Sequence, residues 1–255
     1  AYEATLAETP ETSLWRTQYL YLASRFISLA ETSGRGELIP PQLIATVYDA
    51  IDRMWRREPA WQWGREPFAG GVQERLAWKL ATPETAVSYH RAVIDEEQFL
   101  FGIAADLQAY LQATHDVLLG GGTIREILDA ALHVYQQEVV ELPDGRWLLQ
   151  PGVWTDHFAY AHAGHTEIVD PMTLAPVPDV AEDTSHATRR PLILRSLAEA
   201  YDADSVERTF YSQRLAGLEK QFVEHVLVPP ADAFPAYRTT NYMDGTNSVY
   251  RYNHA

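Results

Sequence analysis

Thr12-Ser13-Leu14-Trp15-Arg16-Thr17-Gln18-Tyr19-Leu20-Tyr21-Leu22-Ala23-Ser24-Arg25-Phe26-Ile27-Ser28-Leu29-Ala30-Glu31 decides the fold class. Trp15, Tyr19, Leu22, Phe26 and Leu29 recur at steps of four, three, four and three, the spacing of an amphipathic helix, and the stripe is expected to face a core. Gly34 and Gly36 end this helix. Pro40-Pro41 open a second, in which Leu43, Val47, Ala50 and Met54 repeat the pattern until Pro59. A third is predicted from about residue 92 to 115 through Leu100, Ile103, Leu107 and Tyr110, preceded by a turn that Thr82 caps with Pro83 at its first position. Beyond Gly120-Gly121-Gly122, Thr123 and Glu126 have capping-box spacing for a fourth, with Ile124, Leu128, Ala131 and Tyr135 on one face. A fifth follows Thr188 and holds Leu194, Leu197 and Tyr201. Asp204 and Glu207 cap a sixth, striped by Tyr211, Leu215, Leu218, Phe222 and Val226. Asp144-Gly145 between residues 139–142 and 147–149 predicts one small β-hairpin. The expectation is a mainly α chain of antiparallel helical hairpins.

Composition narrows the class. The chain has 255 residues, which fits one large domain over 1–255, and it is 46% hydrophobic and 22% charged, within the globular range. Twenty Lys and Arg against 35 Asp and Glu leave a net charge of −15, which disfavours duplex nucleic acid and anionic membrane as partners. Without cysteine there is no disulfide, thiol nucleophile or Cys-based metal centre. No apolar run approaches the ~18 residues of a membrane span. The chain begins at Ala1 instead of Met, as after removal of a leader, though none is visible.

Connection lengths carry the functional argument. Residues 32–39, 116–122 and 202–205 are short links, whereas 58 to about 91, 141 to about 188, and 229–255 are long. If the helices alternate in direction, all three long segments project from one end, and loops beyond about a dozen residues are usually functional. The first holds Trp61, Trp63, Arg65, Tyr89 and His90; the second Trp154, Asp156, His157, Tyr160, His162, His165, Asp183 and His186; the third Arg238, Asn241, Tyr242, Asp244, Asn247, Tyr250 and Arg251. Aromatic faces stack on the C–H faces of pyranose rings while planar polar groups bind hydroxyls, so this end is expected to be a saccharide cleft. The alternative is that these aromatics merely pack the loops onto the helix ends.

Three constellations could carry chemistry. Around Tyr242 and Tyr250, Asp244-Gly245 and Asn247-Ser248 form turns, so both tyrosines sit on a tight scaffold beside Arg251 and Asn241. A nearby cation lowers a tyrosine pKa, which would make either a base. In Asp183-Thr184-Ser185-His186, Asp183 or Ser185 caps the following helix, or Asp183 orients His186 at the cleft wall beside Arg189 and Arg190. Glu96 and Glu97 begin the third helix, where carboxylates suit the positive dipole end, or one of them meets substrate. His157, His162 and His165 with Asp156 and Glu167 are a weaker divalent-metal candidate, since their spacing matches no metal motif. No phosphate loop, nucleophile elbow or zinc helix is present, and no cofactor or resident metal is expected.

Over roughly residues 89–252, the Trp-rich connections, the Asp183–Ala187 run and the Asn-Tyr…Asn-x-x-Tyr-Arg-Tyr segment beginning at Asn241 resemble the (α/α)-toroid polysaccharide lyases, with alginate and glucuronan lyases as the closest types. Such toroids usually contain more hairpins, so the resemblance implies an incomplete (α/α) barrel with its long loops at one end. It implies β-elimination at a uronic acid of a polysaccharide or oligosaccharide, by a secreted or periplasmic enzyme. Carried over, Tyr242 is the first candidate for base or acid and Tyr250 the second; His186 assists, and Asn241, Arg251 and Glu97 bind or neutralise the carboxylate. Trp61, Trp63, Arg65, His90, Trp154, His157, Tyr160, His165, Arg189, Arg190, Arg238 and Asn247 are the expected substrate-binding residues. Two alternatives stay open: an (α/α)-barrel glycoside hydrolase with paired carboxylates drawn from Asp183, Asp244 and Glu97, and a non-catalytic glycan-binding protein.

Overall fold

The structure, a computed structural model, describes residues 10–82, 87–115 and 121–251, with side chains from residue 14 onward. Pro83 as a helix start, Asp116 and Gly120 of the short link, and Tyr252 of the closing segment lie outside the described residues.

The chain is mainly helical. Its helices are α1 (Pro10–Thr32), α2 (Leu43–Arg56), α3 (Gly71–Ala81), α4 (Asp95–Thr114), α5 (Gly122–Gln137), the short α6 (Thr184–Ala187), α7 (Arg190–Glu199) and α8 (Val206–Gln221), the last continuing as a π turn, Phe222–Val226. The predicted hairpin is present as β1 (Val139–Glu141) and β2 (Trp147–Leu149), antiparallel with Val139 opposite Leu149. A second two-stranded ladder pairs β3 (Leu227–Val228) with β4 (Arg238–Thr239). Among the described residues no helix is long and apolar enough to cross a membrane. The chain divides into two compact units: residues 1–81, 93–133 and 192–212, and residues 82–92, 134–191 and 213–255.

In the first unit α4 is the central rod. Phe99, Leu100, Phe101, Ile103, Ala104, Ala105 and Leu107 are all buried, as expected of a helix apolar on every side. Tyr21 of α1 lies 5.7 Å from Phe99, and a Cβ at Gly102 would come within 2.6 Å of its ring, so α1 approaches where α4 has no side chain. Ser24 and Arg25 then reach Asp106, one turn beyond Gly102, so α1 and α4 run in the same direction. Those polar contacts fix the rotation of α1 and overturn one expectation. The buried face is Thr17, Leu20, Tyr21, Ser24, Ile27 and Ser28, whereas Trp15, Tyr19, Leu22, Phe26 and Leu29 are exposed. Periodicity found the helix but assigned the wrong face to the core.

The segment from residue 58 to 91 is not one long loop, because α3 lies inside it. Its buried face is Val72, Arg75, Leu76 and Lys79, helical spacing in which two of four positions are cationic, so no apolar stripe marks it. Gly71 has φ +76 and packs against the carbonyls of Met54 and Trp55, a contact that only glycine allows at the turn from α2. Two predicted caps are also corrected. The Thr123 hydroxyl donates to Asp52 across to α2 (2.5 Å), and Glu126 accepts from Trp55 Nε1 and Arg56, so tertiary partners replace the capping box. At α8 the cap is Ser205, whose hydroxyl accepts from the Arg208 N–H, instead of Asp204.

The second unit is built largely from the long segments. Trp147 anchors the hairpin, with its indole N–H on the Arg214 carbonyl (2.8 Å) and its ring edge-on to Tyr135. Ala159, Tyr160, Ala163, Val180 and Tyr242 form one buried cluster, flanked by Trp154, Val177 and Tyr250. These residues come from the second and third segments, and residues 88–91 of the first join the same unit.

Candidate functional site: an acid–base centre at Asp183 and His186

The third segment is sewn onto the second by backbone. Asp183 and Tyr242 form an antiparallel bridge, Thr184 N–H donates to Asn241 O (3.0 Å), and Met243 N–H donates to Glu182 O (2.9 Å). Farther on, Val249 N–H donates to His165 O and Arg251 N–H to Ala159 O. Between these seams the chain turns at Gly245, φ +91, and the Asp244 carboxylate accepts from Thr246 N–H and hydroxyl at 2.8 Å each. The Asp244-Gly245 turn is therefore as the sequence predicts, whereas Asn247-Ser248 forms no turn of its own. From the first segment, Ser88 N–H (2.6 Å) and Tyr89 N–H (3.2 Å) donate to Asp156. Burial opposes the charge of Asp156, but these donors outweigh it and hold the carboxyl below its usual range.

At the meeting point stands Asp183, buried to 1% side-chain exposure. One oxygen accepts from Ser185 N–H (3.0 Å), His186 N–H (3.2 Å) and the Ser185 hydroxyl, which is the capping role expected before α6. The other accepts from His186 Nδ1 and from the Tyr160 hydroxyl, each at 2.6 Å. Burial penalises the charge, but His186, Ser185 and Tyr160 more than compensate, and the carboxyl is pushed far below the ordinary aspartate range. An ionised carboxylate only accepts, so Nδ1 carries the hydrogen, and in the neutral ring the lone pair is on Nε2. The His186 side chain is 40% exposed, beside the buried, charged carboxylate that orients it.

Around this pair lies an aromatic wall. Trp154 stacks on Tyr160 at 5.4 Å and 12°, and His157 packs edge-on to Tyr89, Trp154 and Tyr160. His90 stands edge-on to Tyr89 at 4.9 Å. Tyr250 is half-buried beside Tyr160 (5.1 Å) and under the Arg251 guanidinium (5.0 Å). Burial and the Asp183 charge push its phenol up to about 12, with Arg251 pulling the other way, so it is a protonated acid at neutral pH and not a base. Arg251, with φ +56, holds an uncommon left-handed backbone and is exposed together with Asn241 and Asn247. Asn241 Nδ2 donates to Ser248 O, bracing the turn.

Several expected site residues have other work. Tyr242 is fully buried, its hydroxyl donates to Val249 O at 2.7 Å, and burial raises its pKa; it holds the tail in place and is not a base. Glu97 belongs to the first unit, fully buried against Arg75 Nε and Lys79 Nζ at 2.7 Å each and accepting from Ile94 N–H. Burial disfavours its charge, but the two cations hold its pKa down, so it is a structural ion pair and not a substrate contact. Arg190 is buried in an ion pair with Glu182, which removes it from any basic mouth. Arg189 is half-buried and its pKa is lowered by burial. Arg238 is exposed over the Phe234 ring on β4. His162 and His165 both direct a ring nitrogen to the Thr173 carbonyl, and no group of three potential metal ligands gathers among the described residues. Trp61, Trp63 and Arg65 lie in the first unit: the two tryptophans meet edge-on at 5.0 Å, and Arg65 stacks over Phe68.

The carboxylates proposed as a hydrolytic pair are each committed: Asp183 to five donors, Asp244 to its own turn and Glu97 to two cations. What sequence reasoning undervalued is Tyr160, placed only as a sugar contact, which instead closes the hydrogen-bond shell of Asp183. No local signal links residues 23 positions apart. A separate cavity of about 340 Å³ in the second unit is lined by Ser88, Arg91, Glu138, Gln150, Gly152 and Pro178, among others. Gln150 there has φ +40 and donates to both Glu138 and the Arg91 carbonyl. No protein-family model, curated protein or solved structure matches the chain.

Proposed function

We propose that the protein is a polysaccharide lyase that cleaves a uronic-acid-containing chain by β-elimination, with the Asp183–His186 pair as its acid–base centre. The observation that carries this reading is the buried, ionised Asp183 holding Nδ1 of a half-exposed His186 at 2.6 Å. An imidazole fixed in that tautomer is the usual instrument for abstracting a carbon-bound proton near neutral pH.

In this mechanism His186 Nε2 takes the C5 proton, the C5 electron pair forms the C4–C5 double bond, and the C4–O4 bond breaks. Tyr250, which its raised pKa keeps protonated at neutral pH, gives its proton to the departing O4, an alkoxide more basic than the phenolate left behind. Arg251, with Asn241, offsets the C5 carboxylate, without which that proton is too weak an acid to leave. Trp154, His157 and Tyr89 offer ring faces and edges to neighbouring sugars. The toroid belongs to this proposal as well. It is favoured by α1 and α4 lying side by side in the same direction, the relation that inner helices of such a barrel have to one another.

The test is a spectrophotometric panel of alginate, glucuronan and neutral glucans. A lyase produces ultraviolet-absorbing unsaturated uronate from an acidic polymer and nothing from the glucans. Reducing ends without that absorbance would make the protein a hydrolase, and binding without turnover would make it a lectin-like module.

A further inference from the structure

The solvent side of α1 is unusual in what it lacks. Between residues 14 and 31 every exposed residue is large and apolar: Trp15 (53%), Tyr19 (48%), Leu22 (70%), Phe26 (41%) and Leu29 (47%). No charge interrupts the strip, because Arg16 turns to Glu58 and Arg25 to Asp106 and Glu199. Scattered exposed apolar residues are ordinary, but a continuous strip marks an interaction surface. Steps of four, three, four and three are moreover the d-to-a spacing of a helix that packs lengthwise against another helix.

The geometry points to a second copy of this chain as the partner, with α1 lying antiparallel on its mate about a two-fold axis at Leu22. The strip is nearly symmetric about that residue. Inversion sets Leu22 opposite itself and Trp15 opposite Leu29, and it brings Tyr19 and Phe26 within one residue of facing each other, so the apolar strip meets its own copy along its length, and opposed helix dipoles favour the arrangement. The five side chains offer on the order of 500 Å² per protomer, or about 1,000 Å² in a pair when fully covered, the size of a weak, concentration-dependent interface. An uncharged seam also lets two molecules of net charge −15 meet without a like charge at the contact.

The absence of cysteine makes the test direct. Light scattering behind size exclusion should show the 28.8 kDa mass doubling as the chain is raised from about 1 to about 100 μM. Leu22→Glu should stay at the single mass throughout with unchanged circular dichroism, since Leu22 packs on the outside of its unit. Leu22→Cys should form a disulfide-linked dimer on mild oxidation, and Trp15→Cys should not. A wild-type chain that keeps the single mass, or a Leu22→Glu variant that dimerises as wild type does, would overturn the proposal; cross-linking of Trp15→Cys with itself would overturn the antiparallel register.

Discussion

Asp183 shows how one residue serves two ends. Its carboxylate starts a helix and fixes the tautomer of His186, and burial among five donors is what makes it dependable as an anion. Asp183→Asn should keep α6, since asparagine also caps, yet it can present an N–H to Nδ1 and so favour the wrong tautomer. Turnover should fall by about 10²- to 10⁴-fold, with a displaced pH profile that a merely structural defect would not produce. The depressed pKa also sets a stability window. Asp183 contributes stability above the ordinary aspartate pKa of ~3.9 and loses it as pH falls through its lower folded value, so acid should loosen the site only below about pH 4. The two tyrosines should part company. Tyr242→Phe removes a buried hydrogen bond to Val249 O and should cost about 1 kcal/mol of stability with turnover largely kept, whereas Tyr250→Phe should abolish most turnover and leave the melting temperature near wild type.

The elements tell how far a sequence can be read. Helix positions were legible wherever an apolar stripe existed, and the β-hairpin was legible from Asp144-Gly145. The stripe on α1 was read inside out, because polar reach from Ser24 and Arg25 to Asp106, and the gap at Gly102, decide its rotation; neither is a property of α1 alone. α3 escaped because its inward face carries Arg75 and Lys79, which make sense only with Glu96 and Glu97 some twenty residues away. That knot of buried charge should be brittle. Glu97→Gln leaves two cations facing a neutral amide and should destabilise the first unit by about 3 to 5 kcal/mol in denaturant titration, and any activity lost should return on stabilisation. For the site, the local spacing from Asp183 to His186 was legible, while Tyr160 and the confinement of Tyr242 depend on long-range pairing.

On the scale of the molecule, one further buried group should write itself into the stability curve. Burial pushes the Asp106 carboxyl up to about 6, with Arg25, Ser196 and Ser24 offsetting it only in part. A raised folded pKa means that the native state binds the proton more tightly, so stability should decline as pH rises from about 4 to about 6 and then level off. Thermal melts across that range should show the slope, and Asp106→Asn should flatten it. The larger claim concerns function: segments distant in the chain are drawn into the second unit to set a fixed imidazole among aromatic rings and an arginine. Its most direct measurement is the rate of unsaturated-uronate formation by His186→Gln beside Tyr242→Phe, on whichever acidic polymer the wild type cleaves. The account predicts a loss of at least about 100-fold for the histidine variant and near-normal turnover for the tyrosine variant. Undiminished turnover in His186→Gln would contradict it.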